Sequence, residues 1–190
     1  LCKKNIINKV KSYVLANGSV NGVDLNRFKP IESIRSKVRE KLSINDNDKL
    51  IAFVGRLNKD KGIYDLIDAY KIIKSKGYPA KLLLIGPDEE KIIKKSSIVE
   101  KFLKNEIIYL GEKYNPEYWL NGCDIFCLPS YREGFGNVLI EASALKLPIV
   151  ASKIYGIKDA VLDNVTGLLF KVGSVDDLVE SIIRLLENDQ

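Results

Sequence analysis

Short apolar runs without regular alternation occur at seven places along the chain and predict β-strands. The runs are Ser12–Ala16, Lys49–Val54, Lys81–Ile85, Glu106–Leu110, Asp124–Leu128, Pro148–Ala151 and Gly167–Phe170. Side chains of a half-exposed strand alternate between apolar and polar, whereas unbroken apolar runs are typical of strands covered on both faces. We therefore expect a buried, parallel sheet.

Amphipathic segments lie between these runs and predict helices. The clearest covers 60–77, where Ile63, Ile67 and Tyr70 recur at helical spacing. Further helices are predicted within 30–44, 88–104, 115–123, 136–147 and 173–189. Strands that alternate with helices at this spacing predict an α/β fold built on a Rossmann-like, doubly wound parallel sheet.

The pattern predicts one domain, at 12–190, preceded by a lead-in at 1–11. Between the first two strands, Gly18, Gly22 and Pro30 punctuate a loop that leads into a polar helix. The chain begins with leucine and contains no methionine. We expect it to be a fragment or a processed product of a longer protein.

The composition limits the classes of function. The net charge of +5, from 30 basic and 25 acidic residues, is compatible with an anionic small molecule or with peripheral contact at an acidic membrane surface. It is too weak and too evenly spread to favour nucleic acid. No apolar run approaches the roughly 20 residues of a membrane span, and no signal-peptide pattern is visible, so we expect a cytoplasmic protein. Three cysteines and no histidines predict neither a disulfide framework nor a zinc site.

Two cations follow the strand Lys49–Val54, in the segment GRLNKDKG. Gly55 lets a ligand approach the backbone closely, and Arg56 and Lys61 lie beside the N-terminus of the next helix, which itself favours anions. A planar guanidinium and a point charge suit a diphosphate. The alternative is a pair of solvated surface cations.

Two carboxylates follow the strand Asp124–Leu128, in the segment SYREGFGNVLIEA. Glu133 is predicted to precede a helix that begins within 136–138, and Glu141 to lie about one turn into it. The backbone amides of Gly134 through Val138 would be free to donate to phosphate or sugar oxygens. Turn glycines and an acidic residue that stabilises the helix N-terminus would explain the same pattern.

The carboxyl ends of parallel strands meet at one edge of the sheet, where ligands bind in open α/β folds. Cations suit a diphosphate and carboxylates accept hydrogen bonds from hydroxyl groups, so the two loops together predict a nucleotide-sugar site. A dinucleotide-binding oxidoreductase is the competing prediction. It would require G-x-G-x-x-G, and Leu139 stands where the third glycine should be. The P-loop pattern is absent as well.

Four segments resemble the nucleotide-sugar-binding half of the retaining glycosyltransferases of family 4, which have the GT-B fold. They are GSVNGVDLNRF at 18–28, VGRLNKDKG at 54–62, LPSYREGFGNVLIEA at 128–142 and DNVTGLLF at 163–170. The resemblance implies that Arg56 and Lys61 bind the donor diphosphate and stabilise charge on the departing nucleotide, and that Glu133 contacts the donor sugar. It implies that Glu141 binds the ribose. The backbone amides of Gly134, Phe135, Gly136 and Asn137 would face the sugar and phosphate.

The same resemblance implies a UDP-sugar donor, with a GDP-sugar as the alternative, and neither a metal ion nor another cofactor. A saccharide or lipid-linked acceptor would be held by an N-terminal domain that this chain lacks, in a pathway of polysaccharide biosynthesis. We therefore expect the chain alone to bind donor weakly and not to transfer it. The alternative function is a non-catalytic nucleotide-sugar-binding or structural Rossmann-like module.

Overall fold

The computed structural model of the chain describes residues 22–95 and 106–187. The strands are β1 (Lys49–Val54), β2 (Ala80–Ile85), β3 (Ile107–Tyr109), β4 (Ile125–Leu128), β5 (Ile149–Ser152) and β6 (Gly167–Phe170). The helices are α1 (Glu32–Lys41), α2 (Ile63–Ser75), α3 (Ile92–Lys95), α4 (Pro116–Leu120), α5 (Asn137–Ala144), α6 (Tyr155–Lys158) and α7 (Val175–Glu187). A single 3-10 turn, Lys59–Lys61, precedes α2.

The six strands form one parallel sheet in the order β3-β2-β1-β4-β5-β6. From β1 the chain moves outward through β2 to β3, and then returns to place β4 on the other side of β1. The order therefore reverses between β1 and β4, which is the topological switch point of a Rossmann-like fold. This topology confirms the predicted doubly wound parallel sheet.

The predicted strands agree closely with the observed ones. Lys49–Val54 and Gly167–Phe170 are confirmed to the residue. Two strands differ by one residue at both ends. The strand predicted at Pro148–Ala151 is observed as β5 at Ile149–Ser152, and the strand predicted at Glu106–Leu110 is observed as β3 at Ile107–Tyr109, with half-buried side chains. Among the described strands, β3 is the last on its side of the sheet and pairs with β2 alone. The predicted strand Ser12–Ala16 and the lead-in lie outside the described residues.

Helices cover both faces of the sheet because successive strands are added toward one edge from β1 to β3 and toward the other edge from β4 to β6. Right-handed crossovers place α2, between β1 and β2, and α5, between β4 and β5, on opposite faces. On the α2 face, α7 packs beside α2. The strand interiors are fully buried: Ile51, Phe53 and Phe126 have no exposed surface. Among the described helices, none combines the length and the apolar character needed to cross a membrane.

Asp124 fastens α1 to the amino edge of the sheet. Its carboxylate accepts a hydrogen bond from Arg35 at 2.6 Å, from Arg39 at 3.1 Å and from the backbone amide of Leu50 at 2.7 Å. Arg39 is almost fully buried and also donates to the carbonyl oxygens of Asn45 and Asp48. This cluster stabilises the edge opposite to the loops that carry the predicted site.

The two cysteines in the described residues are structural. Cys123 and Cys127 are buried free thiols near and within β4, and burial raises the pKa of each thiol well above its usual range. A thiolate is the reactive form of cysteine, so both side chains are inert. These two cysteines therefore add no reactive group to the described part of the sheet core.

Candidate functional site

The loops that follow β1 and β4 touch at the switch point of the sheet. Gly62 brings the start of α2 so close to Pro129 that a β-carbon at Gly62 would lie 2.0 Å from the Pro129 carbonyl oxygen. The backbone amide of Tyr131 donates to the Asp60 carbonyl oxygen at 2.8 Å, and the Tyr131 hydroxyl donates to Asp65 at 2.7 Å. The two predicted halves of the site are therefore one rigid junction.

Lys61 and Glu133 form an ion pair across this junction. Lys61 Nζ lies 2.5 Å from Glu133 Oε1, and the Ser130 hydroxyl donates to the same oxygen at 2.9 Å. The side chains are mostly buried, with exposed fractions of 19% for Lys61 and 11% for Glu133. An ammonium group has three donors. Lys61 can therefore hold Glu133 in place and still bind an anion.

Ser130 was not identified from the sequence. It follows β4 directly and lies fully buried, three residues before Glu133. The spacing alone does not distinguish it from an ordinary turn serine, because its role depends on how the 130–133 turn folds back on itself. A buried serine beside a carboxylate fixes that carboxylate's orientation.

Arg56 is paired with a different carboxylate. Arg56 NH1 lies 3.3 Å from Glu89 Oε1, and Asn58 Nδ2 donates to Glu89 Oε2 at 2.6 Å. The hydrogen bond from Asn58, followed by the contact with Arg56, lowers the pKa of Glu89. The Arg56 side chain is 57% exposed, so its guanidinium stays accessible to a ligand. The sequence predicted the cations at this loop but neither Glu89 nor Asn58 as their neighbours.

The backbone from Gly134 to Val138 lies at the same edge and ranges from exposed at Gly134 to buried at Gly136. Gly134 is exposed, and a β-carbon there would meet nothing within 4 Å. Helix α5 begins at Asn137, as predicted, with Gly136 before it. Within the described residues, none of the amides of 134–138 donates a hydrogen bond, and Asn137 Oδ1 is buried without a partner. This stretch therefore offers donors at the positive end of a helix.

Glu141, on α5, belongs to a second group of charges, together with Arg27 and with Glu117 on α4. Burial raises the pKa of Glu141, nearby Arg27 opposes that rise, and Glu117 adds to it. Arg27 donates to Glu117 at 2.8 Å and to the Tyr114 carbonyl oxygen at 2.7 Å, in the loop after β3. The structure thus groups Glu141 with Arg27 and Glu117, and pairs Glu133 with Lys61. Arg27 lies in the 18–28 motif, but its partners are about 90 residues away in sequence.

The assembled edge can bind a ligand that is anionic at one end and rich in hydroxyl groups at the other. Arg56, Lys61 and the free amides offer positive charge and donors, and Glu133 and Glu141 offer acceptors. In the described ranges, no cluster of three or more His, Cys, Asp or Glu side chains could hold a metal ion.

Sequence comparison with known proteins finds similarity to glycosyl transferases. The family model of the glycosyl transferases group 1 matches residues 34–190. The capsular polysaccharide biosynthesis glycosyltransferase CapM of Staphylococcus aureus is 36% identical over 188 residues, covering 97% of this chain and 48% of CapM. A Campylobacter jejuni enzyme, N,N'-diacetylbacillosaminyl-diphospho-undecaprenol alpha-1,3-N-acetylgalactosaminyltransferase, is 31% identical over 172 residues, covering 89% of this chain and 44% of that enzyme.

Solved structures with the same fold include one with a nucleotide-sugar. Anabaena Alr3699/HepE in complex with UDP-glucose is similar with a TM-score of 0.79 and 29% identity, over 88% of this chain and 46% of HepE. The C-terminal domain of the group 1 glycosyl transferase LpcC from Francisella tularensis is similar with a TM-score of 0.74 and 25% identity, over 88% of this chain and 89% of that domain.

The chain spans about half the length of the curated relatives it matches. Its sheet order and helices are those of one Rossmann-like half of a GT-B glycosyltransferase. The family match covers nearly all of the described residues, including both loops of the site. The chain belongs to the group 1 glycosyl transferases.

Proposed function

We propose that the carboxyl edge of this sheet binds the donor of a sugar transfer, a nucleotide-diphosphate-sugar, with a UDP-sugar as the favoured form and a GDP-sugar as the alternative. The observation that carries the proposal is the contact between Lys61 and Glu133, which are 72 residues apart in sequence and meet at the switch point. The complex of HepE with UDP-glucose, on the same fold, supports the same class of ligand.

The cations would act on the diphosphate. Arg56 and Lys61 lie after β1 and would neutralise charge that develops on the nucleotide diphosphate as the bond to the sugar breaks. Fixed charges aimed at a departing group stabilise a transition state more than a ground state. The proposal assigns this positive charge to the two side chains and includes no metal ion or other cofactor.

The carboxylates would bind hydroxyl groups. Glu133 would accept hydrogen bonds from the donor sugar, and Glu141 from the ribose. The amides from Gly134 to Val138 would complete the sugar and phosphate contacts, with Gly55 allowing close approach beside them. Glu133, Arg56 and Lys61 are the residues that would touch the reacting groups.

For the whole protein, we propose a retaining glycosyltransferase that moves a hexose-type sugar to a saccharide or lipid-linked acceptor in polysaccharide biosynthesis. The similarity to the capsular polysaccharide biosynthesis glycosyltransferase CapM and to the Campylobacter enzyme supports this setting. The acceptor would bind to the remainder of the protein, because the relatives are about twice as long. The 190-residue chain is therefore expected to bind donor without transferring it. Peripheral contact of the whole protein with the inner face of the cell membrane is part of the same proposal.

Calorimetric titration of the chain with UDP, GDP and ADP tests the donor site. We expect saturable binding of UDP that weakens as the salt concentration rises, because charged groups carry the contact. A GDP affinity similar to that of UDP would show that the site does not discriminate between the bases. The difference in affinity between UDP and UDP-glucose measures the contribution of the sugar contacts. Absence of binding by all of these ligands at millimolar concentration would contradict the proposal.

The variants Glu133→Gln and Glu141→Gln separate the sugar contacts from the ribose contacts. Glu141→Gln is expected to weaken UDP and UDP-glucose by the same factor, of about tenfold, as expected for the loss of one hydrogen bond to a charged group. Glu133→Gln is expected to change the ratio of the two affinities, because only UDP-glucose carries the sugar. Equal factors for both ligands in both variants would show that this assignment is wrong.

Thermal unfolding serves as the control for Glu141→Gln. The pKa of Glu141 is raised in the folded chain, so its stabilising contribution is present at acid pH and is lost as the pH rises through that raised pKa. At neutral pH the ionised carboxylate is a cost. The Gln variant should therefore keep or increase its Tm while UDP binding falls. A fall in Tm would assign the lost binding to unfolding instead.

A further inference from the structure

The phosphate side of the proposed site already holds an anion from the chain itself. Glu89 follows β2 and accepts hydrogen bonds from Arg56, at 3.3 and 3.4 Å, and from Asn58 at 2.6 Å. Both donors lie on the loop after β1, which carries the predicted diphosphate contacts. A carboxylate and a phosphate oxygen are equivalent partners for a guanidinium group.

The loop after β2 is built to hold Glu89 at this place. Glu90 accepts from the Lys59 backbone amide at 3.0 Å and from the Tyr64 hydroxyl at 2.7 Å. Asp88 accepts from the backbone amide of Ile92 at 2.8 Å, which fixes the start of α3. The residues on either side of Glu89 are thus anchored, and its carboxylate is directed at Arg56.

The two ion pairs of the site differ in how readily they can open. Arg56 and Glu89 have side chains that are 57% and 40% exposed, whereas Lys61 and Glu133 are 19% and 11% exposed. Opening a solvated pair costs little, because water replaces each partner, but opening a buried pair leaves charges without solvent. A ligand diphosphate would therefore displace Glu89 and leave the Lys61–Glu133 pair intact.

We propose that Glu89 competes with the donor diphosphate for Arg56 and Asn58 and so sets the affinity of the site for nucleotide diphosphates. This inference rests on the proposed donor site. The competition favours a diphosphate over a monophosphate. A diphosphate can replace the Glu89 carboxylate on Arg56 with one phosphate group and contact Lys61 with the other. A monophosphate has only one phosphate group for both cations. UMP is therefore expected to bind much more weakly than UDP.

The test is the affinity of the intact chain for UDP with Glu89→Gln. Glutamine keeps an acceptor oxygen for Asn58, so the loop retains its contact while the competing charge is removed. We expect UDP to bind about two- to fivefold more tightly, the factor that corresponds to loss of one exposed ion pair. The gain should shrink at high salt. The matched control is Glu40→Gln, an exposed glutamate on α1 with the same change of charge, which should leave UDP affinity unchanged.

The Arg56→Ala background distinguishes competition from general repulsion. If Glu89 acts by occupying Arg56, the gain from Glu89→Gln should largely disappear when Arg56 is alanine. An equal gain in both backgrounds, or unchanged or weaker UDP binding by Glu89→Gln with an unchanged Tm, would overturn the inference. Failure of the wild-type chain to bind UDP at all would instead overturn the proposed donor site.

Discussion

Replacing Lys61 with methionine is expected to weaken UDP binding by about 10- to 100-fold, the loss that follows removal of a hydrogen bond between two charged groups. Methionine approximates the apolar stem of lysine and removes the ammonium group, with its charge and its hydrogen-bond donors. The same change leaves Glu133, with 11% of its side chain exposed, without its counter-charge. Ser130 still donates to Glu133, so we expect a moderate loss of stability, about 1–3 kcal/mol.

The matched control for Lys61 is Lys59→Met, on the same 3-10 turn. Lys59 is exposed, and within the described residues its side chain makes no ion pair. Isothermal titration gives the UDP affinity of both variants, and urea unfolding gives their free energies of unfolding. Equal UDP affinity of the two variants would contradict the assignment of Lys61 to the diphosphate.

Replacing Gly62 with alanine is expected to destabilise the chain by about 2–4 kcal/mol, from a strained left-handed backbone and from overpacking. Gly62 has a φ of 69°, and its added β-carbon would lie 2.0 Å from the backbone oxygen of Pro129. A backbone oxygen cannot rotate away as a side chain can. The loops after β1 and β4 would have to separate, so UDP binding should be lost together with stability.

Gly77→Ala is the matched control for Gly62→Ala. Gly77 also lies in the left-handed region, with a φ of 84°, but a β-carbon there would meet nothing within 4 Å. Only the conformational cost of about 1–2 kcal/mol applies at this position. Urea unfolding should show a clearly larger loss for Gly62→Ala, and Gly77→Ala should leave UDP affinity unchanged. Equal losses of unfolding free energy in the two variants would contradict the close contact between Gly62 and Pro129.

The fold was largely predictable because burial on both faces leaves a simple pattern. A central strand such as Lys49–Val54 has an unbroken apolar run, and its limits were predicted to the residue. The edge strand covers Ile107–Tyr109, one residue shorter at each end than predicted, although Glu106 and Leu110 still make backbone hydrogen bonds to β2. An apolar pattern does not mark where regular strand geometry ends.

The candidate site was predictable as two loops but not as a set of pairs. Arg56 and Glu133 could be placed at the carboxyl edge because each follows a central strand. The partners Glu89 and Ser130 could not, because side-chain contacts depend on how each loop folds after it leaves the sheet. The ion pair between Lys61 and Glu133 also joins what the sequence treated as separate phosphate and sugar sides. Substitution of either residue is therefore expected to alter the binding of both the diphosphate and the sugar.

Amide chemical-shift mapping of the 190-residue chain with UDP tests the location of the donor site without any substitution. The largest shifts are expected in the loop after β1, at 55–62, and in the segment from Glu133 to Glu141, because these two stretches meet at the switch point. Amides at the opposite edge, such as those of Asp48 and Leu147, should not move. Shifts concentrated at that amino edge, with the two loops unchanged, would contradict the assignment of the donor site.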